Sequence, residues 1–210
     1  MPEDKSLFFY GPIYHRLIDP PLAESRRVVA DLIPEGSSVL DIGCGTGTLT
    51  ALLRTQKKCR VVGIDLSLRM LEFAREMNPY PDVTFLHKDA TDLSEFADES
   101  FDYSVILLLV HELTRVNQLA VLKEALRVSR RVIIVDAVSP LPKNFGGVEI
   151  QVVEATIGHN HYGNFTAYLA AGGIDSILKA SDSPIRVEHC SVFLHYCREV
   201  VMITKEGQPA

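Results

Sequence analysis

Three alternate glycines and a later acid are the residues of this chain whose types and spacing point most directly to chemistry. Gly43, Gly45 and Gly47 follow the largely apolar run 39–42, and Asp65 ends the next apolar run. A strand that leads into glycines at the start of a helix can present backbone N–H groups to a ligand. A carboxylate about twenty residues further on can bind both hydroxyls of a ribose. The pairing predicts a site for a nucleoside-bearing cofactor.

The order of the glycines bears on which cofactor this is. In the dinucleotide-binding fingerprint the glycines fall as G-x-G-x-x-G, whereas here Thr48 stands where the third glycine should be. This departure argues against a nicotinamide cofactor. Glycines between a strand and a helix also serve purely conformational needs, so the loop by itself leaves a structural role open beside a ligand-binding one.

Strands and helices alternate through the part of the chain that carries the loop. Apolar runs predict strands, and apolar residues at helical spacing predict helices. Strands are predicted over 38–42, 60–64, 83–86, 103–110 and 131–135, and helices over 20–33, 48–54, 67–77 and 117–129, with Ser67 as a cap. Strands that alternate with helices form right-handed crossovers, which predicts an α/β fold with a doubly wound, mostly parallel sheet.

The pattern changes after Val138. Residues 139–142, Ser-Pro-Leu-Pro, interrupt the alternation, and residues 143–183 are predicted to hold one or two helices around the Gly172-Gly173 break. Two β-rich runs, 185–189 and 199–204, are close enough in sequence to pair with each other.

The composition is that of an ordinary globular protein. The 210 residues are 47% hydrophobic and 23% charged, which fits a single domain over 1–210. The net charge of -6, with scattered basic residues, argues against a nucleic-acid partner. The apolar run 105–110 is far shorter than the ~18 residues of a membrane span, and the cysteines lack CxxC spacing. We therefore expect a soluble, cytoplasmic protein with reduced thiols, and a homodimer stays open.

Several segments, taken in order, resemble the motifs of the class I S-adenosylmethionine-dependent methyltransferases. The segments 39–47, 61–67 and 86–90 are similar to the first three motifs of that family, and 101–113 is similar to the fourth. The resemblance implies a Rossmann-like, seven-stranded sheet whose last strand, 199–204, runs antiparallel. It also implies that the methyl donor, S-adenosyl-L-methionine, lies across the carboxyl ends of the first and second strands.

The resemblance further implies which residues hold the methionyl end of the donor. The glycines of the run 43–47, with Cys44 between them, let the backbone approach this end, whose carboxylate suits a helix amino terminus. Asp41 would meet the methionyl amino group directly or through water. The carbonyl of Leu107 could accept a hydrogen bond from the same amino group.

The nucleoside end of the donor is assigned in the same way. Asp65 would accept both ribose hydroxyls, and Leu66 would cover a face of the adenine. Asp89, with the backbone of Ala90, would bind the exocyclic amine of the adenine. The alternative for Asp89 is a carboxylate that only forms a turn or caps a helix, because Thr91 and Asp92 follow it.

Two segments outside the alternating region are expected to enclose the ligands. Tyr14 belongs to an amino-terminal helical cap, 1–33, and its ring could close over the sulfonium of the donor, although core packing is an equal alternative. Residues 139–183 are expected to form a helical insertion on the acceptor side. With the apolar residues Phe165, Tyr168 and Ile174, this insertion can act as a lid that shapes the acceptor pocket.

Histidines supply the candidates for chemistry on the acceptor. His111 follows the fourth strand and is the best candidate for a general base, with Glu112 beside it, whereas its alternative role is to cap or pack against the next helix. His195 and Tyr196 join the last two strands and are placed on the acceptor side by the predicted architecture.

A metal site is not expected from the sequence. His159, His161, His189 and Cys190 could be imagined as ligands, but a histidine pair without partnered spacing is usually incidental.

The sequence therefore predicts a methyltransferase that transfers a methyl group from S-adenosyl-L-methionine to a small, partly apolar molecule by in-line displacement. Two alternatives stay open. One is a nicotinamide-dependent dehydrogenase, and the other is a partner subunit that binds the donor without catalysis.

Overall fold

One sheet of seven strands runs through the part of the chain that the structure, a computed structural model, describes: residues 15–16, 22–193 and 197–207. The strands are β1 Ser38–Ile42, β2 Arg60–Asp65, β3 Val83–His87, β4 Phe101–Leu107, β5 Ser129–Ala137, β6 Ile185–Phe193 and β7 Arg198–Lys205. Their order is β3-β2-β1-β4-β5-β7-β6. The first five pair parallel, and β7 is antiparallel to both of its neighbours. The predicted mostly parallel sheet with an antiparallel last strand is confirmed.

Helices cover both faces of this sheet. They are α1 Ala23–Leu32, α2 Thr48–Lys57, α3 Leu68–Met77, α4 Arg115–Val128, α5 Phe145–Ile157, α6 His159–Ala171 and α7 Gly173–Lys179. The side chain of Ser67 caps α3, as predicted, by accepting a hydrogen bond from the N–H of Met70. None of the helices in the described ranges has the length and apolarity needed to cross a membrane. The amino-terminal part of the expected cap, 1–14, lies outside the described residues.

The segment 143–183 holds three helices rather than the one or two that the sequence predicts. Gly158, with φ 154°, separates α5 from α6, and Gly172, with φ 105°, separates α6 from α7. Residues other than glycine rarely adopt such backbone conformations. Glycine therefore allows the chain to end one helix and begin the next without a longer loop. The sequence predicts the second of these breaks but not the first.

The fourth strand also differs from its prediction, because it ends at Leu107 and not at Val110. Leu108 has φ 55°, and its N–H donates to the carbonyl of Val135 at 2.8 Å. A short 3-10 helix, Val110–Glu112, follows. Val110 is buried in the core, so its apolar character reflects packing and not strand pairing. This turn holds His111 directly beyond the carboxyl end of β4.

The central strands are buried on both faces. Leu40 and Ile134 point into the core that α4, α6 and α7 complete, whereas their neighbours Val39 and Ile133 point into the core that α1 and α2 complete. Parallel strands covered on both faces leave the loops at their carboxyl ends as the place where a ligand binds. The fold thus positions the site between the loops that follow β1, β2 and β4.

Gly63 is a point of close packing within β2. A Cβ at this position would lie 2.8 Å from the ring of Phe85 and 3.0 Å from the sulfur of Cys44. Gly163, in α6, has no neighbour within 4 Å of a Cβ built there, so the two glycines form a matched pair.

Gly63→Ala is expected to destabilise the fold by about 1–3 kcal/mol, because the extra methyl group must displace Phe85. Gly163→Ala should instead stabilise it by about 0.5–1 kcal/mol, since alanine favours a helix interior more than glycine does. Urea unfolding of both variants measures the difference. Equal effects of the two substitutions would contradict the close packing at Gly63.

Candidate active site

The glycine loop after β1 is fastened to the end of β2 by its own amides. The N–H groups of Gly43 and Cys44 donate to the carbonyl of Ile64 at 2.8 and 2.9 Å. The N–H of Gly45 donates to Oδ2 of Asp65 at 2.9 Å. The sequence predicts that the amides of the loop face a ligand, whereas in the structure those of Gly43, Cys44 and Gly45 fix the loop. A ligand would therefore meet the start of α2 and not these amides.

The three glycines have different physical roles. All have positive φ, 73° at Gly43, 52° at Gly45 and 72° at Gly47, which other residues rarely adopt. A Cβ on Gly47 would also lie 2.9 Å from the ring of Phe85, so this glycine is needed for packing. A Cβ on Gly45 would meet nothing within 4 Å. The open side of the loop is therefore at Gly45, where a ligand can approach the backbone closely.

Asp65 lies at the junction of two loops. Its Oδ2 accepts from Gly45, and its Oδ1 accepts from the N–H of Ser67 at 2.8 Å. These two amides fix the orientation of the carboxylate. Next to it the side chain of Leu66 is 59% exposed, which leaves an apolar surface open beside the carboxylate. A diol next to a flat apolar ring, such as an adenosine, fits this arrangement.

The loop after β3 meets the same place. The N–H of Lys88 donates to the backbone carbonyl of Asp65 at 3.1 Å. Asp89 forms a turn, which is its alternative predicted role. Its Oδ1 accepts from the N–H of Thr91 at 2.9 Å and from the Thr91 hydroxyl at 2.7 Å. The side chain of Asp89 is exposed, and Ala90 is half-buried beside it. The turn thus occupies Oδ1 of Asp89, and Oδ2 accepts no hydrogen bond from the described part of the chain.

Asp41 is buried under the glycine loop. It is 2% exposed, and its Oδ2 accepts from the hydroxyl of Thr50 at 2.7 Å. Burial raises its pKa to about 6, although the Thr50 hydrogen bond and the charge of Arg26 act in the opposite direction. A carboxylate that is costly to ionise inside a fold is often kept for function.

Two other predicted donor residues contribute little through their side chains. Cys44 packs against Leu71 and Phe85, and burial raises the pKa of its thiol well above the ordinary value. Its contribution to the loop is the backbone N–H that donates to Ile64. Leu107 is half-buried at the end of β4 and packs against the core of α1 and α2. Tyr14, His195 and Tyr196 lie outside the described residues.

His111 belongs to a network of charged groups beyond the carboxyl end of β4. It is 4% exposed, its Nδ1 lies 2.6 Å from Oδ1 of Asp136, and its backbone N–H donates to Oδ2 of Asp136 at 3.2 Å. Its Nε2 lies 3.6 Å from Oε2 of Glu154. Burial opposes a charge on the ring, but Asp136 and Glu154 together raise the pKa of His111 well above the ordinary value.

Two further side chains complete this network. Nε2 of His161 forms a short hydrogen bond with the same Oε2 of Glu154, and the rings of His111 and His161 meet edge to face. Burial raises the pKa of Glu112 to about 6, and the histidines oppose that shift. The pKa of Glu154 is about 2, because hydrogen bonds from both histidines outweigh its burial.

Sequence reasoning missed Asp136 and Glu154. Asp136 follows the apolar run 131–135 as Asp65 follows its own strand, so the same signal could have found it. Glu154 gives no such signal, because only the break at Gly158 folds it back towards His161. Of the histidines and cysteine considered for a metal, His159 and Cys190 are exposed, and His189 lies 3.1 Å from the hydroxyl of Ser191.

Comparisons with known proteins agree with this architecture. A family profile described as a methyltransferase domain matches residues 39–131. The O-methyltransferase cnsE of Penicillium expansum is 37% identical over 139 residues, which are 59% of this chain and 50% of that protein. A 2-phytyl-1,4-naphtoquinone methyltransferase of Thermosynechococcus vestitus is 40% identical over 100 residues, 43% of this chain and 44% of that protein. The chain thus spans about half the length of these curated relatives.

Solved structures show the same fold over nearly the whole chain. The PH0226 protein from Pyrococcus horikoshii superposes with a TM-score of 0.71 at 18% identity, covering 97% of this chain and 98% of that one. The profile match includes the glycine loop and the ends of β1, β2 and β4, so this part of the chain is similar to a methyltransferase domain.

The buried carboxylate of Asp41 gives a prediction with a defined sign. Because its pKa is raised to about 6, the folded state holds its proton more tightly than the unfolded state, and the free energy of unfolding falls as the pH rises from about 4 to about 6. Asp41→Asn should remove this penalty. We expect the variant to be about 1–3 kcal/mol more stable at pH 7.5 and equally stable at pH 4.

Asp102 is the matched control at the opposite end of the sheet. Burial raises its pKa, but hydrogen bonds from the N–H and hydroxyl of Ser38, at 2.8 and 2.7 Å, leave it lowered overall. Asp102→Asn should therefore destabilise the fold at pH 7.5, and the loss should vanish at low pH. Urea unfolding across this range compares the two. A gain in Asp41→Asn that does not change with pH would contradict the raised pKa.

Proposed function

We propose that this chain is a methyltransferase that uses S-adenosyl-L-methionine to methylate a small, partly apolar molecule. The observation that carries the proposal is the convergence of the loops after β1, β2 and β3 on Asp65, in a chain that matches a methyltransferase domain. The names of the relatives support a small-molecule acceptor, since one of them is a 2-phytyl-1,4-naphtoquinone methyltransferase.

The donor residues divide by the part of the molecule that each would hold. Asp65 would accept the ribose hydroxyls, and the exposed side chain of Leu66 would pack on the adenine. Asp89 would use its second oxygen for the adenine amine. The open side of Gly45 and the start of α2 suit the methionyl carboxylate, because a helix amino terminus attracts a negative charge. When bound, S-adenosyl-L-methionine supplies an electrophilic methyl group on its sulfonium.

Asp41 and Leu107 would bind the methionyl ammonium of the donor. Each supplies an oxygen near the end of a central strand, β1 and β4, which would attract the methionyl ammonium. Above pH 6, where Asp41 is ionised, its charge would favour the ammonium, directly or through water. Tyr14, which could cover the sulfonium, stays a prediction.

The acceptor side lies where β4 and β5 end. The helices α5 to α7 form the insertion proposed to shape the pocket, and Phe165 and Tyr168 of α6 pack into the core beside His111. In β7, Arg198 pairs with Ala137 of β5 and with Phe193 of β6, so the β6–β7 connection leaves the sheet at this same edge. We assign His195 and Tyr196, in that connection, to the acceptor side.

His111 keeps its proposed role as general base only under one condition. The ring must release the proton that Asp136 and Glu154 stabilise, because a protonated imidazole cannot accept another. Reaction of an acceptor that is already a strong nucleophile would need no base. The net charge of -6 supports a proposal without a nucleic-acid partner, and four free cysteines support a reducing, cytoplasmic location.

Transfer of a labelled methyl group tests the proposal. Incubation with methyl-labelled S-adenosyl-L-methionine and a metabolite extract should place the label on a small molecule, identified by mass. No labelled product would favour the non-catalytic partner subunit instead. If NADH, and not S-adenosylhomocysteine, raised the melting temperature, the dehydrogenase alternative would replace the proposal.

Two leucines provide a matched pair for the same assay. Leu66 and Leu68 are 59% and 53% exposed, but only Leu66 lies beside Asp65 at the proposed adenine site. Leu66→Ser should raise the KM for the donor about three- to tenfold, because it removes apolar contact worth about 1 kcal/mol. Leu68→Ser should leave the KM unchanged. Equal KM values in both variants would contradict the adenine assignment.

A further inference from the structure

Three side chains from separate elements converge beyond the carboxyl ends of β4 and β5. They are His111 of the 3-10 helix, Glu154 of α5 and His161 of α6. Their ring nitrogens and carboxylate oxygen all lie within 4.8 Å of one another. Both imidazole Nε2 atoms approach the same oxygen, Oε2 of Glu154, one of them at 3.6 Å and the other in a short hydrogen bond. Two ring nitrogens and one carboxylate oxygen grouped this closely can together bind one cation.

Asp136 orients the first of these histidines. Its carboxylate is fully buried and accepts from Nδ1 of His111 at 2.6 Å, which turns Nε2 towards Glu154 and His161. Histidines that bind metals commonly donate their other ring N–H to a carboxylate in this way, because the bond fixes the tautomer and the direction of the ring. His111 is thus held as a metal-binding imidazole would be.

The charges around the three side chains are unbalanced. Asp136, Glu154 and Glu112 bring three carboxylates together, and none of them has a hydrogen bond or ion pair with a lysine or arginine among the described residues. Their cationic partners are the two imidazoles alone. Buried carboxylates are stable only when they are paired or bind a metal. A divalent cation bound to the neutral imidazoles would replace their two protons and leave the same net charge.

We propose that His111, Glu154 and His161 form a site for one divalent transition-metal ion, with Zn²⁺ as the best match. Two imidazoles and one glutamate are a ligand set of catalytic zinc, whereas Mg²⁺ and Ca²⁺ prefer oxygen ligands. Tetrahedral coordination at about 2.0–2.1 Å places ligand atoms roughly 3.4 Å apart, close to the 3.6 Å between His111 and Glu154. The bond between His161 and Glu154 would be replaced by two bonds to the metal.

The site differs from what the sequence predicts, since only His161 was among the histidines considered there. Three protein ligands leave a coordination position open, as in catalytic and not in structural zinc sites. In the proposed transfer an acceptor oxygen would occupy this position, a role that rests on the proposed function. The metal site itself is independent of the donor and can be tested without it.

Zinc binding to the full chain tests the proposal. After removal of metals with EDTA, isothermal titration with Zn²⁺ should show equimolar binding, and titration with Mg²⁺ should show none. His161→Ala and Glu154→Gln should each weaken Zn²⁺ binding by more than about tenfold. X-ray absorption at the zinc edge should show nitrogen and oxygen neighbours at about 2.0–2.1 Å and no sulfur.

Exposed residues outside the cluster serve as controls. His159→Ala and Glu149→Gln alter exposed side chains of α6 and α5, and Cys190→Ser removes an exposed thiol that could bind zinc adventitiously. All three should bind Zn²⁺ as the unaltered chain does. If no Zn²⁺ bound, or if His161→Ala and Glu154→Gln bound it normally, the cluster would be a metal-free hydrogen-bond network and the proposal would be wrong.

The affinity for S-adenosylhomocysteine separates this proposal from the proposed function. His161→Ala should lose zinc and keep that affinity, which also shows that the variant is folded. Loss of both zinc binding and S-adenosylhomocysteine binding in His161→Ala would indicate misfolding. In that case Glu154→Gln, shown by circular dichroism to be folded, tests whether the cluster binds zinc. A chain that bound zinc but not S-adenosylhomocysteine would retain the metal site and overturn the methyltransferase proposal.

Discussion

The rest of the site depends on the hydrogen bonds that the carboxylate of Asp65 accepts. It joins the glycine loop, through Gly45, to the start of α3, through Ser67, and the backbone of the same residue accepts from Lys88. Three loops that follow three different strands are thereby held at one point. Without this carboxylate the N–H groups of Gly45 and Ser67 would lose their acceptor, and the glycines would be free to leave the conformation that exposes the start of α2.

Buried charge is concentrated at this edge of the sheet, and it has a cost in stability. Asp41 lies under the glycine loop with a raised pKa, and His111 with Asp136 lies one strand further along. Apolar side chains of similar size would stabilise both positions. Elsewhere in the described residues the central strands bury almost only apolar side chains, so these groups mark the region where chemistry has shaped the fold.

The sequence predicted the fold well because alternating apolar runs and helical spacing report burial directly. It failed where burial and secondary structure separate, as at Val110, which is buried but lies outside β4. The donor site was readable because its residues follow strands in sequence, and Asp136 could have been found by the same rule. The contact between Glu154 and His161 could not, because it depends on how two helices meet across Gly158.

The central claim is that Asp65 both fixes the glycine loop and binds the ribose of the donor. Isothermal titration of S-adenosylhomocysteine into the unaltered chain and into Asp65→Ala tests it most directly, with Asp92→Ala, an exposed acid of the next loop, as control. The account predicts a loss of more than about tenfold in Asp65→Ala, because two hydrogen bonds to a charged group contribute roughly 1.5–3 kcal/mol each. Affinity that is unchanged in Asp65→Ala, or reduced equally in Asp92→Ala, would contradict it.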